Sequence, residues 1–400
     1  MKLIPRLKPY FNHRELIAAL TPTSGNIDNF EDAFARKLGC SYGIMFSYGR
    51  SGLYALLRIW GLKEAEVVLP AYTCVVVPHA VVLSGNIPVF VDCAKGSFNM
   101  DLEGIRSVIT EKTRVVMPTH LFGYPMDVNT VDAIVKDAEE KYGHEIYVVQ
   151  DCAHSFCCSW NGELVTKHGD AALFGLNISK TISSVFGGMI TTNNKQIADE
   201  LRSFRKRNFK RRGIEKTIRR FLYLLSIYAT FNPYIYFWVN KLERHDLLDR
   251  FVRYYDESEI EFPLDWDEIP AEIEARVGLA NLEKYDEIIE CRRANAQKYF
   301  SNLKDKVGIK LPPNDEGATF SHFVILVENR ERWLKEYLKR GIQLGGLIEY
   351  SIPEMRAYGT HSPQEFPVAA SYARSTINLP VWCNRRVADR VVCGLNQGTA

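Results

Sequence analysis

Between about residues 27 and 200 the chain repeatedly sets a short, wholly apolar run between segments of helical spacing. "YGIMFS", "AEVVLP", "IPVFVDC", "TRVVMPTHL" and "IYVVQDC" have no polar alternation, so neither face of such a strand can meet water. "IDNFEDAFARKLG", "SGLYALLRIWGL", "CVVVPHAVVLSG", "DLEGIRSVIT" and "VNTVDAIVKDAEEKYG" lie between them and carry apolar residues at helical intervals. Such apolar strands separated by helices imply a mainly parallel sheet whose two faces the helices cover. The expected fold class is therefore α/β, with a mainly parallel sheet. Ligands in such sheets bind beyond the carboxyl ends of the strands. Asp151 and His154 follow "YVVQ", Thr119 and His120 follow "RVVMP", and Gly49-Arg50-Ser51-Gly52 follows "IMFS" and opens a helix. These positions are expected to converge.

Four hundred residues exceed what one core usually carries, so two domains are expected. The pattern changes after about residue 260, where a long amphipathic region precedes "SHFVILVENRERWLKEYLKRGIQ" and "STINLPVW". This predicts a large domain over 1–260, with an insertion at about 202–250, and a smaller α+β domain over 261–400. The net charge of +2 gives no general attraction to nucleic acid. The nine cysteines form no CxxC pair, which suits a reducing compartment and implies neither zinc nor a disulfide framework. "MKLIPRLKPYFNHREL" lacks the apolar core of a signal peptide, so a cytoplasmic location is expected.

"FGLNISKTISSVFGGMITTNN", residues 174–194, holds one lysine, Lys180, in an otherwise apolar, small or hydroxylated run. A lysine in such a setting is either exposed on a turn or kept as a neutral amine for covalent chemistry. Asp151 at a strand end, Lys180 some thirty residues on, and a glycine-bearing helix start are the residue types that bind pyridoxal phosphate. The carboxylate pairs with the ring nitrogen, the amine forms an imine and moves a proton, and the helix start receives the phosphate. His154 reads equally as a cofactor contact or a satisfied core histidine.

Ordered stretches across nearly the whole chain resemble the DegT/DnrJ/EryC1/StrS family of pyridoxal-phosphate-dependent sugar aminotransferases. Among them are "IDNFEDAFARKLGCSYGIMFSYGRSGLYALL", "VVLPAYTCVVVPHAVVLSGNIPVFVDC", "VVQDCAHSFCCSWNGELVTKHGDAALFGLN" and "SKTISSVFGGMITTN". The resemblance implies a fold type I architecture with a seven-stranded large-domain sheet. It implies that Lys180 is the Schiff-base lysine, that Asp151 contacts the pyridine nitrogen, and that His154 hydrogen-bonds the phenolic oxygen. It places Gly49, Arg50 and Ser51 at the phosphate turn, and Tyr72 and Cys74 beside the ring. The chain also departs from the family. A phosphate-binding serine is replaced by Gly175, a stacking aromatic by Cys74, and a Pro-x-His by Pro353-Glu354-Met355. A cross-subunit Asn-x-Arg is absent near Asp267 and Ile269. Arg50 and Asn177 are the residues expected to compensate at the phosphate.

The activity so implied is transamination, with glutamate as donor and a nucleotide-linked keto-sugar as acceptor, in a homodimer serving glycan or secondary-metabolite synthesis. A non-sugar or lipid-linked substrate and a degenerate regulatory or scaffold member are the alternatives. Within the insertion, "RSFRKRNFKRRGIEKTIRR" is strongly basic and "FLYLLSIYATFNPYIYFWVN" is uncharged and aromatic. Three readings of 202–240 stand: a buried insertion, peripheral docking on the inner face of a membrane, and a span, which Asn232-Pro233 disfavours. The basic run could also steer an anionic substrate.

Overall fold

In the computed structural model, residues 3–21, 25–211, 213–232, 234–243, 259–304, 306–359, 361–382 and 384–396 are described. Pro233 and residues 244–258, which include the end of the insertion expected at about 202–250, lie outside the described residues. The first half of the chain runs α1 (His13–Leu20), α2 (Asn26–Lys37), β1 (Tyr42–Phe46), α3 (Gly49–Ile59), β2 (Glu66–Pro70), α4 (Val76–Leu83), β3 (Ile87–Val91), α5 (Leu102–Val108), β4 (Thr113–Val116), α6 (Val128–Tyr142) and β5 (Tyr147–Asp151). A small hairpin of β6 (Ser159–Trp160) and β7 (Glu163–Leu164) precedes β8 (Ala171–Gly175), β9 (Gly188–Thr192) and α7 (Lys195–Asn208).

The apolar runs form a seven-stranded sheet in the order β1-β9-β8-β5-β4-β2-β3. β9 pairs antiparallel with β1 and with β8, and the remaining pairs are parallel. The sheet is mainly parallel, as expected. Its helices are bounded by local chemistry. The Asp101 and Asp127 side chains accept backbone N–H bonds at the starts of α5 and α6. Gly143, at φ +72°, ends α6 in a left-handed turn that a side chain would strain.

The second half contains α8 (Ile214–Thr230), α9 (Tyr236–Glu243), α10 (Glu272–Leu282), α11 (Tyr285–Leu303), β10 (Ile309–Lys310), β11 (Phe323–Val327), α12 (Arg330–Lys339), α13 (Pro367–Ser375), β12 (Thr376–Leu379) and α14 (Arg385–Asn396). β10, β11 and β12 form a second, antiparallel sheet. Its core joins Tyr299, Phe323 and Ile377 to Tyr72, Phe122 and Tyr124 from the loops at the edge of the large sheet. That shared apolar cluster presses the two sheets together. The N-terminal strap is stitched to the small sheet's flank, where Ile4 bridges Ile342 and the Trp382 indole N–H donates to Pro5 O.

Candidate active site

The parallel register brings the carboxyl ends of β1, β2, β4, β5 and β8 to one edge, where a cavity of about 320 Å³ opens. Gly49, Arg50, Cys74, Asp151, His154, Asn177 and Lys180 line it. Ser51 and Tyr72 are not brought to its wall. The Ser51 hydroxyl donates to Trp266 O at 2.7 Å, behind the turn. Tyr72 is buried, with its hydroxyl 3.1 Å from Ile348 O and 3.0 Å from Thr376 Oγ1, so it ties the two sheets together. Arg6, Tyr48, His322, Tyr350 and Asn378 also line the cavity; Tyr48 adjoins the expected phosphate turn, and the other four carry no local motif for the site.

Asp151 ends β5 and is 3% exposed. Burial raises its pKa, against the Ala153 N–H bond and the nearby Lys180 charge, which lower it. Burial likewise lowers the Lys180 pKa, against Cys74 and Asp151. Both shifts have one cause: enclosed, low-dielectric surroundings disfavour either charge. A lysine whose charge is disfavoured is biased toward the neutral amine that chemistry at a carbonyl requires. A Cβ at Gly175 would lie 3.2 Å from Lys180 Cε, so a side chain there would press on the lysine.

The Phe122 N–H donates to His154 Nδ1 at 3.3 Å, so the proton of a neutral ring sits on Nε2. The His154 and His322 ring centres are 5.0 Å apart, and burial holds both well below the usual histidine pKa. Two strained residues flank the cavity, Phe122 at φ +58° and the β-branched Val185 at φ +75°.

The phosphate turn is built from α3. Tyr48 makes no side-chain cap, and intrahelical bonding begins with the Ser51 and Gly52 N–H groups on Tyr48 O. The Gly49 and Arg50 N–H groups therefore precede the helical ladder, at its positive end. Gly188 lets the turn approach, because a Cβ there would lie 2.2 Å from Gly49 N. Asn177 Oδ1 accepts from Ser179 N–H and from the Ser179 hydroxyl, which leaves the amide Nδ2 as its donor toward the cavity.

The segment where Asn-x-Arg is absent braces its own chain's turn instead. Tyr48 OH donates to Asp265 at 2.7 Å, and the Ser47 hydroxyl donates to Glu268 O. Arg220 of α8 bonds Asp265 at 2.8 Å, Glu274 at 2.8 Å and Tyr48 OH at 3.3 Å. Lys216 reaches Ser47 Oγ at 2.8 Å. Lys216 and Arg220, read from the sequence as part of a basic run, are 1% and 4% exposed. They are internal anchors, because the buried carboxylates of Asp265 and Glu274 need cationic partners.

The site fits pyridoxal phosphate. It offers an enclosed amine, a buried carboxylate on the neighbouring strand end, and a helix start lined by Arg50 and a glycine cradle that a Cβ would fill. Residues 15–224 and 270–395 match the model of the DegT/DnrJ/EryC1/StrS aminotransferase family. The chain is 27% identical to GDP-perosamine synthase of Escherichia coli O157:H7 over 392 residues, covering 95% of this chain and 93% of that protein. It is 26% identical to dTDP-3-amino-3,6-dideoxy-alpha-D-galactopyranose transaminase of Aneurinibacillus thermoaerophilus over 382 residues, 93% of this chain and 90% of that one. The crystal structure of S. venezuelae DesV shares the fold, with a TM-score of 0.78 at 20% identity over 99% of this chain and 98% of that one.

Proposed function

The chain belongs to the DegT/DnrJ/EryC1/StrS aminotransferase family, and from that membership we propose that it moves an amino group from glutamate to the ketone of a nucleotide-linked sugar. The observation that carries this reading is the meeting of Lys180, Asp151 and His154 in one cavity with the uncapped start of α3. The two named relatives act, by their names, on GDP-linked and dTDP-linked sugars over nearly the same length of chain. Two arginines at the cavity, Arg6 and Arg50, suit substrates and a cofactor that are all anionic.

Pyridoxal phosphate, when bound, supplies the electrophilic carbonyl and the electron sink that amino transfer needs. Gly49, Arg50 and Asn177 would hold its phosphate, and Asp151 would pair with its ring nitrogen. A positive charge beside Asp151 would pull its raised pKa back down and keep it ionised. Lys180 Nζ, whose charged form burial disfavours, would be the base that takes a proton and returns it. His154 Nε2 is a donor for an anionic oxygen. The cavity walls Leu53, Leu173 and Leu176 restrict water.

The reading includes a homodimer, a cytoplasmic location and division at about residue 260 into a cofactor-binding and a smaller domain. A lipid-linked acceptor is the second reading, favoured by the apolar surface of α8. The assembled Lys180, Asp151 and His154 speak against a degenerate scaffold. The test is spectroscopic. Glutamate alone should discharge the visible band of the cofactor-loaded protein, and a nucleotide-linked keto-sugar should restore it. Discharge without restoration by any nucleotide-linked keto-sugar would favour the lipid-linked reading. No discharge by glutamate would remove glutamate as donor.

A further inference from the structure

Helix α8 is built inside out. Its inward face carries Lys216, Arg220, Leu224 and Ile227, while Ile214, Ile218, Leu222 and Leu225 fall on the opposite face and point outward. Ile214 is 81% exposed. The pattern continues into α9, where Ile235, just before its first turn, Trp238 and Leu242 are all exposed, Trp238 at 61%. Tyr234 is exposed between the two helices. Single exposed apolar residues are ordinary, but consecutive helices that each turn an apolar stripe outward mark an interaction surface.

Charge selects the partner. Lys206, Arg207 and Arg211 are exposed just before α8, Arg219 on it and Lys241 near the end of α9. Between Lys206 and Lys241 the sequence holds one acid, Glu215. A two-fold contact between copies would set this cationic rim against itself. An anionic leaflet would instead neutralise it, and Trp238 and Tyr234 are the side chains that settle at headgroup depth. No described helix is long and apolar enough to cross a membrane. Lying flat, the 17 residues of α8 span about 25 Å.

We propose that α8 and α9 form a docking face for the surface of an anionic lipid bilayer, held to the catalytic body by the buried Lys216 and Arg220. The proposal does not depend on which sugar the enzyme uses. The test is co-sedimentation of the full cofactor-loaded chain with vesicles of phosphatidylcholine alone and of phosphatidylcholine mixed with phosphatidylglycerol. The mixed vesicles should carry the protein down, and added salt should reduce the bound share. Leu222→Glu and Trp238→Glu, each tested separately, should return it to the supernatant by about tenfold, with the cofactor band and thermal midpoint unchanged. Wild-type protein that stays in the supernatant with both vesicle types overturns the proposal. So does dissociation of a lipid-free dimer by either variant in sedimentation velocity, since the face would then belong to a second copy.

Discussion

Lys180 and His120 show how enclosure rather than sequence sets the chemistry of single residues. The Lys180 pKa is lowered because the cavity disfavours its charge. His120 is fully buried, accepts the Met126 N–H on Nδ1 at 3.0 Å and donates from Nε2 to Gln150 Oε1 at 3.0 Å, so its ring is fixed as the neutral tautomer. Burial pushes its pKa down from 6.5 to about 4. The unfolded chain therefore binds more protons in that window, and folding stability is complete above pH 6.5 and lost as pH falls toward 4. At ~1.4 kcal/mol per pH unit, the loss attributable to this ring reaches ~3 kcal/mol. Denaturant unfolding of His120→Asn across that range should show a flatter dependence than wild type; an equal slope would remove His120 as the cause. From the sequence, Asp151, Lys180 and Gly49 were legible because residue type, order and strand-end position all pointed one way. Ser51 and Tyr72 were not, because a hydroxyl's partner is decided by what packs behind it, here Trp266 O and Ile348 O.

At the scale of elements, α8 and the segment around residues 265–269 replace a missing contact with an internal brace. Arg220 joins Glu274, which is 0% exposed, and Asp265, with its guanidinium 4.0 Å from the Phe186 ring centre. Arg220→Met would take the ion-pair partner of the buried Glu274 and leave Asp265 to Arg219 at 4.0 Å, which costs ~3–5 kcal/mol. Arg220→Lys should rescue little, because an ammonium cannot span both acids and Tyr48 as the planar fork does. Urea unfolding checks both variants, and a loss below ~1 kcal/mol for Arg220→Met would contradict the brace. The strands and helices of the large sheet were readable because continuous apolar runs and helical spacing have distinct periods. The period of α8 was equally readable, but period does not say which face turns inward. Here the cations do, since Asp265, Glu268 and Glu274 wait beneath them. The family match passes over 225–269, where α9 and part of this brace lie.

For the whole molecule, one cavity is assembled from five strand ends, the N-terminal strap and the small sheet. Arg6 comes from the strap, His322 and Asn378 from the small sheet and its entry, and none has a neighbour in sequence that hints at the site. Their placement depends on long-range pairing, such as the Asn378 amide on Arg6 O at 3.3 Å and Gly345 lying 3.1 Å from Arg6 Cδ where a Cβ would stand. Such contacts leave no local trace. All of this converges on the amine of Lys180, so the most direct measurement is borohydride reduction of the cofactor-loaded protein followed by peptide mapping. The cofactor mass should appear on the peptide that bears Lys180 and vanish in Lys180→Ala. Label on another lysine, or none on any, would contradict the account.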